Sequence, residues 1–368
     1  MITDRVLLNA GSGSTSVPPF PDLAQLDRQE VGHLMRQWQA LLVPLGIGGT
    51  PLSRGRVGRQ GEVILKREDK TGTGSYKERG AATAVLNAKA RGYDLGVAAS
   101  TGNFGRGIRA ACEKCGFSAT IFVPTSTPGN KVDALRGAGV TVKPYGSDFT
   151  EAHREAVGYA AVHPDHYLLE PYNSVPTILG QGTVALELID QTSVDDYSVI
   201  FVPIGGGGLV AGTALGHFAF RKNVRVVGVC TEAAPASFLS FKLGAPVEVP
   251  TQFSIASGAN VAKLGDICYP LIKTLVSDIL LVREAEVERA ISWLAARGIR
   301  AEGAGAMALA AVLRRKGKDH KVAAIVSGGS ISEADHSKVL ARVAAFAALS
   351  RRSNAQSVAQ RGSSAALP

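Results

Sequence analysis

The sequence is short of cysteine, of aromatic residues and of charge. Of its 368 residues four are cysteine, 6% are aromatic and 19% are charged. Cys112 and Cys115 form a single Cys-Glu-Lys-Cys at the end of a helical stretch, and Cys230 and Cys268 stand apart. A zinc site of the usual kind needs a second such pair or histidines at ligand spacing. A thioredoxin-type redox pair opens a helix instead of closing one. Both classes are therefore set aside, and the thiols read as buried or surface groups in a reducing cytosol. The opening residues, Met1-Ile2-Thr3-Asp4-Arg5, contain no continuous apolar segment, so no secretory signal is expected. Lysine and arginine outnumber the acids 40 to 31, a net charge of +9, and the isoelectric point is near 9.4. These basic residues are scattered, and Arg351, Arg352 and Arg361 lie in a Ser/Ala/Gln-rich tail. No basic stripe interleaves with aromatics, so nucleic acid is not an expected partner. The positive balance suits an anionic ligand in a general way. Phe201 to Phe220 is free of Asp, Glu, Lys and Arg, but six glycines and a proline interrupt it. That run reads as a buried strand, a loop and a packed helix, not a membrane span.

What is present is glycine, 42 residues of it, in a chain that is 45% hydrophobic. This length and composition fit a soluble globular enzyme of two domains. From about residue 95 short β-branched runs alternate with helical periods. Strands are predicted at Gly96–Ser100, Ala119–Pro124, Thr141–Tyr145 and Tyr167–Pro171, then at Ser198–Ile204, Arg225–Thr231, Asp278–Val282 and Val322–Ser327. Between them lie patterns such as Glu284–Arg297, where Val287, Ala290, Ile291, Leu294 and Ala295 recur at helical spacing. The alternation predicts an α/β fold with open parallel sheets covered on both faces. Ligands of such folds bind at strand-to-helix loops, here those after Ser100, Ile204, Val229 and Val326. Residues 1 to about 30 read as an irregular arm and those after about 350 as a frayed tail.

Three loops and one lysine carry chemistry. Lys77 follows the strand-like Val63-Ile64-Leu65-Lys66 and the run Gly72-Thr73-Gly74-Ser75-Tyr76, and precedes a helical stretch, Ala81 to Lys89. It either solvates a helix start or, if partly desolvated, serves as an amine nucleophile for an aldehyde. Gly205, Gly206, Gly207 and Gly208, with Leu209, separate a buried strand from a helix. Bare backbone amides at the positive end of a helix dipole make an anion site, and a glycine hinge is the plainer alternative. The run lacks the Lys-Ser/Thr of a P-loop and the spacing of a dinucleotide fingerprint, which points to a phosphorylated organic cofactor. Ser100, Thr101, Gly102, Asn103 and Phe104 form another strand-to-helix loop, suited to capping a helix or to binding a carboxylate. Ser327, in Ser327-Gly328-Gly329-Ser330, ends the last strong strand and can hold one hydrogen bond to a buried heteroatom.

Taken together these elements resemble the pyridoxal-phosphate enzymes of fold type II, the tryptophan synthase β-subunit superfamily, and in it the threonine/serine dehydratase branch. The resemblance rests on Thr50-Pro51-Leu52, Gly74-Ser75-Tyr76-Lys77-Glu78-Arg79-Gly80-Ala81 and Ser100-Thr101-Gly102-Asn103. It continues through Gly180-Gln181-Gly182-Thr183, Gly205–Leu209, Glu302-Gly303-Ala304-Gly305-Ala306 and Ser327-Gly328-Gly329, in the family's order. It implies pyridoxal 5'-phosphate as cofactor, bound to Lys77 as an aldimine, with Lys77 also the base at Cα. It implies that Gly205 to Gly208 and Leu209 hold the phosphate, Asn103 the phenolic oxygen and Ser327 the ring nitrogen. A neutral serine there makes the cofactor a weaker electron sink, which favours β-elimination. Ser100, Thr101, Gly102, Asn103 and Phe104 would receive the substrate carboxylate. The implied reaction converts a β-hydroxy amino acid such as threonine, serine or a 3-aryl serine into a 2-oxo acid and ammonia.

The same resemblance divides the chain into a large cofactor-binding domain, residues 1–94 and 176–350, a small mobile domain, 95–175, and a disordered tail, 351–368. It implies a cytoplasmic homodimer acting on a small amino acid, with no membrane or nucleic-acid partner. Thr101 stands where the branch usually has serine, which argues against racemisation, and Phe104 where it has histidine, which makes the pocket more apolar. Tyr76 replaces the usual phenylalanine, and Pro171-Tyr172-Asn173 a Pro-Phe-Asp-Asp. Glu232 matches one acidic metal ligand of the family, but the second falls near Phe238, so a monovalent cation or no metal is expected. The chain ends too soon after Ser330 for a regulatory domain, so feedback by isoleucine is not expected. A threonine synthase-like β,γ-replacement is the alternative, although that family's phosphate loop typically reads Gly-Asn-Ala-Gly-Asn, as is another β-replacement or a racemase reaction. A non-catalytic binding member is a further alternative, opposed by Lys77, Asn103 and Ser327.

Overall fold

The computed structural model describes residues 27–57, 61–315 and 321–364. With strands numbered in chain order, one sheet contains β1 (Leu52–Arg56), β2 (Glu62–Arg67), β7 (Val199–Pro203), β8 (Arg225–Thr231), β9 (Asp278–Val282) and β10 (Val322–Val326). They lie side by side in the order β1-β2-β10-β7-β8-β9. The other sheet contains β3 (Leu95–Ala99), β4 (Ser118–Val123), β5 (Val140–Pro144) and β6 (His166–Leu168), in the order β5-β4-β3-β6. Every pairing is parallel except β1 with β2. Parallel strands covered on both faces must be apolar throughout. Accordingly Val-Ile-Phe-Val-Pro of β7 and Val-Ala-Ala-Ile-Val of β10 are buried at every position.

The predicted strands form, with ends displaced by at most three residues. β1 is an addition. Its Leu-Ser-Arg-Gly-Arg has a single apolar residue, and it is an antiparallel edge strand held by backbone bonds to β2. The helix expected from Ala81 begins four residues earlier, so Lys77 is the first residue of Lys77–Ala90. That helix is buried from Glu78 to Ala88, against the helices Asn103–Cys115 and Val175–Asp190. Phe201 to Phe220 forms β7, the glycine loop and the helix Gly208–Phe220, buried through His217. The irregular arm expected at the N-terminus lies mostly outside the described residues, which open on the helix Arg28–Leu42. At the other end a helix runs from Glu333 to Ser364, and residues 365–368 lie outside the described residues.

A buried charge cluster joins these parts. Arg79, on the Lys77 helix, donates Nε and a terminal nitrogen to Glu68 at 2.8 and 2.8 Å. Its terminal nitrogens also reach the two carboxylate oxygens of Glu187 at 2.7 and 2.8 Å. Lys66 Nζ reaches Glu187 at 2.8 Å and the Thr50 carbonyl at 2.6 Å. Two cations thus meet two anions, and the net charge of the cluster is zero. The Gly48-Gly49 turn wraps the Glu187 carboxylate, Gly49 N donating to it at 2.8 Å. Gly48 has φ +107°, and a Cβ there would collide with Glu187 Oε1.

Burial alone would raise the Glu187 pKa, but the hydrogen bonds and charges of Arg79 and then Lys66 hold it down, from 4.5 to about 2. A depressed carboxyl contributes stability above its unfolded pKa and loses it as pH falls toward the folded one. The fold is therefore expected to lose this contribution between 4.5 and about 2, as read by denaturant unfolding at stepped pH. Arg79→Met strips Glu68 of its cation and leaves Glu187 with Lys66 alone, and the expected cost is about 3–5 kcal/mol, measured as a lower midpoint in urea.

Candidate active site

The parallel order places the carboxyl ends of β2, β10 and β7 side by side, so the loops that follow them converge. Backbone bonds then tie the first two together. Ser75 and Gly328 form an isolated bridge, Tyr76 N donates to Ser327 O at 3.1 Å, and Gly329 N donates to Gly74 O at 3.0 Å. The turn that delivers Lys77 is stitched to the loop of Ser327, from the far end of the sequence.

Lys77 Nζ donates to the Pro171 carbonyl at 2.7 Å. Three rings surround it, Tyr76 at 5.3 Å, Phe104 at 5.8 Å and Tyr172 at 5.9 Å from Nζ to centroid. Burial in this apolar setting pushes its pKa from 10.5 to about 8, against a small opposing pull from the Cys268 thiol. The neutral amine, which a nucleophile or base requires, is therefore far more populated at neutral pH than for an exposed lysine, although the ammonium still predominates below about 8.

The four glycines wrap a turn between β7 and the helix Gly208–Phe220. Three of their carbonyls are occupied. That of Gly205 accepts from Ser237 Oγ at 3.0 Å, Gly206 from Gly265 N at 3.0 Å and Gly207 from Ala211 N at 2.9 Å. The amides of the first helical turn have no intrahelical acceptor, as at any helix start, and so remain for an anion. Side chains are excluded here. Gly207 has φ +103°, and a Cβ on it would lie 2.9 Å from Cys268 Cβ. A Cβ on Gly206 would enter the Tyr172 ring, and one on Gly208 would lie 2.5 Å from Gln181 Oε1. That oxygen is buried without a hydrogen-bond partner, while Gln181 Nε2 shares the Pro171 carbonyl with Lys77.

In the loop after β3, Ser100 Oγ accepts from Gly105 N at 2.9 Å and caps the helix Asn103–Cys115. Thr101 is partly exposed, Gly102 exposed and Phe104 buried. Asn103 Nδ2 donates to Glu302 Oε1 at 2.6 Å, and Asn103 Oδ1 accepts from Arg106. Burial raises the Glu302 carboxyl from 4.5 to about 7, in spite of the Asn103 hydrogen bond and the Arg106 and Lys131 charges. Ser327 Oγ is buried and donates to the Ala304 carbonyl at 3.3 Å.

Through these contacts the fold brings Lys77, the Asn103 loop, the glycine loop and Ser327 into neighbouring positions. Among the other residues there, Glu302 stood in a quoted motif without a role, and its signal was a lone acid opening a run of small residues. Gln181 likewise stood in the motif Gly180-Gln181-Gly182-Thr183 without a role, whereas Arg106 and Cys268 had no comparable signal, because each depends on what distant segments bring beside it. Among the described residues no group of three His, Cys, Asp or Glu is placed to hold a metal ion. No helix among them is long and apolar enough to cross a membrane.

A desolvated lysine and, across the Tyr172 ring, a glycine loop closed to side chains at Gly206, Gly207 and Gly208 fit an aldehyde cofactor with a phosphate tail. Residues 43–328 match the model of the family described as "Pyridoxal-phosphate dependent enzyme", and the chain belongs to that family, with the sheet architecture of its fold type II members. The L-threonine ammonia-lyase of Geobacter sulfurreducens is 37% identical over 284 residues, 76% of this chain and 70% of that one. The L-threonine ammonia-lyase of Thermotoga maritima is 36% identical over 282 residues, 74% and 68% of the two chains. The structure of the processed form of threonine deaminase isoform 2 from Solanum lycopersicum superposes with a TM-score of 0.75 at 28% identity, covering 83% of this chain and 92% of that one. These relatives put the chain in the threonine dehydratase-like branch of the family.

Gly206→Ala drives a methyl into the Tyr172 ring. It is expected to weaken retention of pyridoxal phosphate at least tenfold, measured by equilibrium dialysis, while the sheets stay folded by circular dichroism.

Proposed function

We propose that this protein is an ammonia-lyase that eliminates the β-hydroxyl of a small amino acid, threonine first, to give a 2-oxo acid and ammonia. The observation that carries the reading is Lys77, a buried amine with its pKa lowered to about 8, which shares the Tyr172 ring with the glycine loop. When bound, pyridoxal phosphate supplies the electron sink that lets a Cα proton and a β-substituent leave. Lys77 gives the cofactor its covalent anchor, and its freed amine takes the Cα proton. The amides of Gly205, Gly206, Gly207, Gly208 and Leu209 hold the phosphate, and Asn103 donates to the phenolic oxygen. Ser327 faces the ring nitrogen as a neutral partner, so that nitrogen is not forced into its protonated form. Ser100, Thr101, Gly102, Asn103 and Phe104 receive the substrate carboxylate, with Thr101 contributing its hydroxyl. The buried Phe104 and the ring of Tyr172 keep the site apolar and exclude water from the amine.

The relatives named as threonine ammonia-lyases and threonine deaminase support threonine as substrate. In the same reading residues 1–94 and 176–350 form the cofactor-binding domain, and 95–175, with the four-stranded sheet, closes over it. The working form is a cytoplasmic homodimer, with a monovalent cation or none beside the phosphate loop.

The test incubates the purified protein with threonine, serine, a 3-aryl serine, hydroxyaspartate and O-phosphohomoserine, measuring 2-oxo acid and ammonia together. Threonine is expected to give both in equal amounts. Release of threonine from O-phosphohomoserine without 2-oxo acid would instead assign a replacement reaction. Lys77→Ala is expected to lose turnover and the cofactor-labelled peptide that borohydride traps in the wild type. Turnover retained by that variant would sink the mechanism. Because Lys77 is neutral only above its pKa, wild-type turnover is expected to rise with pH and level off above about 8.

A further inference from the structure

Arg106 lies beside Asn103 with no part in the reading above. It follows Asn103 by one turn on the helix Asn103–Cys115, partly buried. One of its terminal nitrogens donates both to Asn103 Oδ1 and to Ser330 Oγ. Ser330 belongs to the loop after β10, so this contact passes from the four-stranded layer to the six-stranded one. The bond from Asn103 Nδ2 to Glu302, at 2.6 Å, crosses in the same way.

A side-chain amide has a donor end and an acceptor end, and Asn103 serves a ring oxygen only with its donor end forward. Glu302 alone does not fix that choice. As a carboxylate it accepts from Nδ2, but as an acid its O–H can donate to the oxygen of a flipped amide. With its carboxyl raised to about 7, both forms are populated in the neutral range. The other groups facing Glu302 are Lys131, on the helix Gly129–Leu135, and the phenol of Tyr76, which burial keeps neutral. Neither of them touches the Asn103 oxygen. A guanidinium has only donors, so Arg106 accepts one orientation of Asn103 and opposes the other.

We propose that Arg106 is a positioning residue that locks the Asn103 amide with its N–H toward the cofactor's phenolic oxygen, whichever form Glu302 takes. The inference rests on the reading of Asn103 as the donor to that oxygen. Loss of Arg106 acts in two ways. It frees the amide to flip, and it removes a cation that holds the Glu302 pKa down, so the acid form persists to higher pH.

The experiment records absorbance and emission of the bound cofactor across the neutral range for the full-length holoenzyme. The variants are Asn103→Ala, Arg106→Met, Arg106→Lys and the Asn103→Ala/Arg106→Met double. Arg106→Met is expected to shift the spectrum in the same direction as Asn103→Ala, and further as pH falls below the Glu302 range. The double variant is expected to match Asn103→Ala alone, since Arg106 acts through that amide. Arg106→Lys, which keeps a cationic donor, is expected to restore part of the wild-type spectrum. A wild-type spectrum in Arg106→Met beside a shifted Asn103→Ala overturns the proposal, as does an additive shift in the double variant. No shift in Asn103→Ala itself refutes the role of Asn103, and the proposal with it. Should Arg106→Met fail to fold by circular dichroism, Ser330→Ala removes the guanidinium's other anchor. A smaller shift in the same direction is then expected, and an unchanged spectrum rejects the proposal.

Discussion

The structure depends on one guanidinium. Arg79 sits two residues past Lys77, with no access to solvent, between Glu68 and Glu187. Taking such a group out of water is costly unless every donor is met. Here each nitrogen has an acceptor, with Thr183 Oγ1 at 3.1 Å and Thr50 Oγ1 at 3.3 Å completing the set. Its partners come from the end of β2 and from the helix Val175–Asp190, and the Gly48-Gly49 turn closes over them. Any drift of the Lys77 helix along its axis would leave an unpaired buried charge. The cluster therefore acts as a register pin for the lysine, in a helix with little apolar periodicity of its own.

Beside that pin, burial works against charge. Burial pushes Lys77 toward the neutral amine and Glu302 toward the neutral acid, to about 8 and about 7 respectively. The same desolvation thus acts in opposite directions on a base and on an acid, and leaves both able to exchange protons near neutrality. The glycine loop contributes a positive field without a side-chain cation, from amides that need no proton to act. An anionic cofactor and an amino-acid carboxylate enter a site where desolvation opposes the charged forms of Lys77 and Glu302.

Much of this was legible in the residues. The alternation of β-branched runs with helical periods is a consequence of parallel strands buried on both faces, and so both sheets could be anticipated. The four consecutive glycines marked a turn into a helix that side chains do not cover, because glycine alone has none. That Lys77 opens a helix could be read from its place between a strand and a helix-forming run. The edge strand β1 was not, since Leu52-Ser53-Arg54-Gly55-Arg56 has no strand pattern and pairs only because β2 offers a free edge. Arg106 was passed over because its neighbours in sequence say nothing of Ser330, which a different sheet brings to it.

Local physics settled what depends on neighbours in sequence: which segments are strands or helices, where the backbone turns without side chains, and which lysine opens a helix. Tertiary structure alone decided the states of those groups. The Lys77 pKa follows from burial among rings contributed by residues 76, 104 and 172, and that of Glu302 from burial that Asn103 and Arg106, on a helix from a distant segment, only partly offset. Desolvation and through-space charge are set by distance in three dimensions, and separation along the chain does not record it.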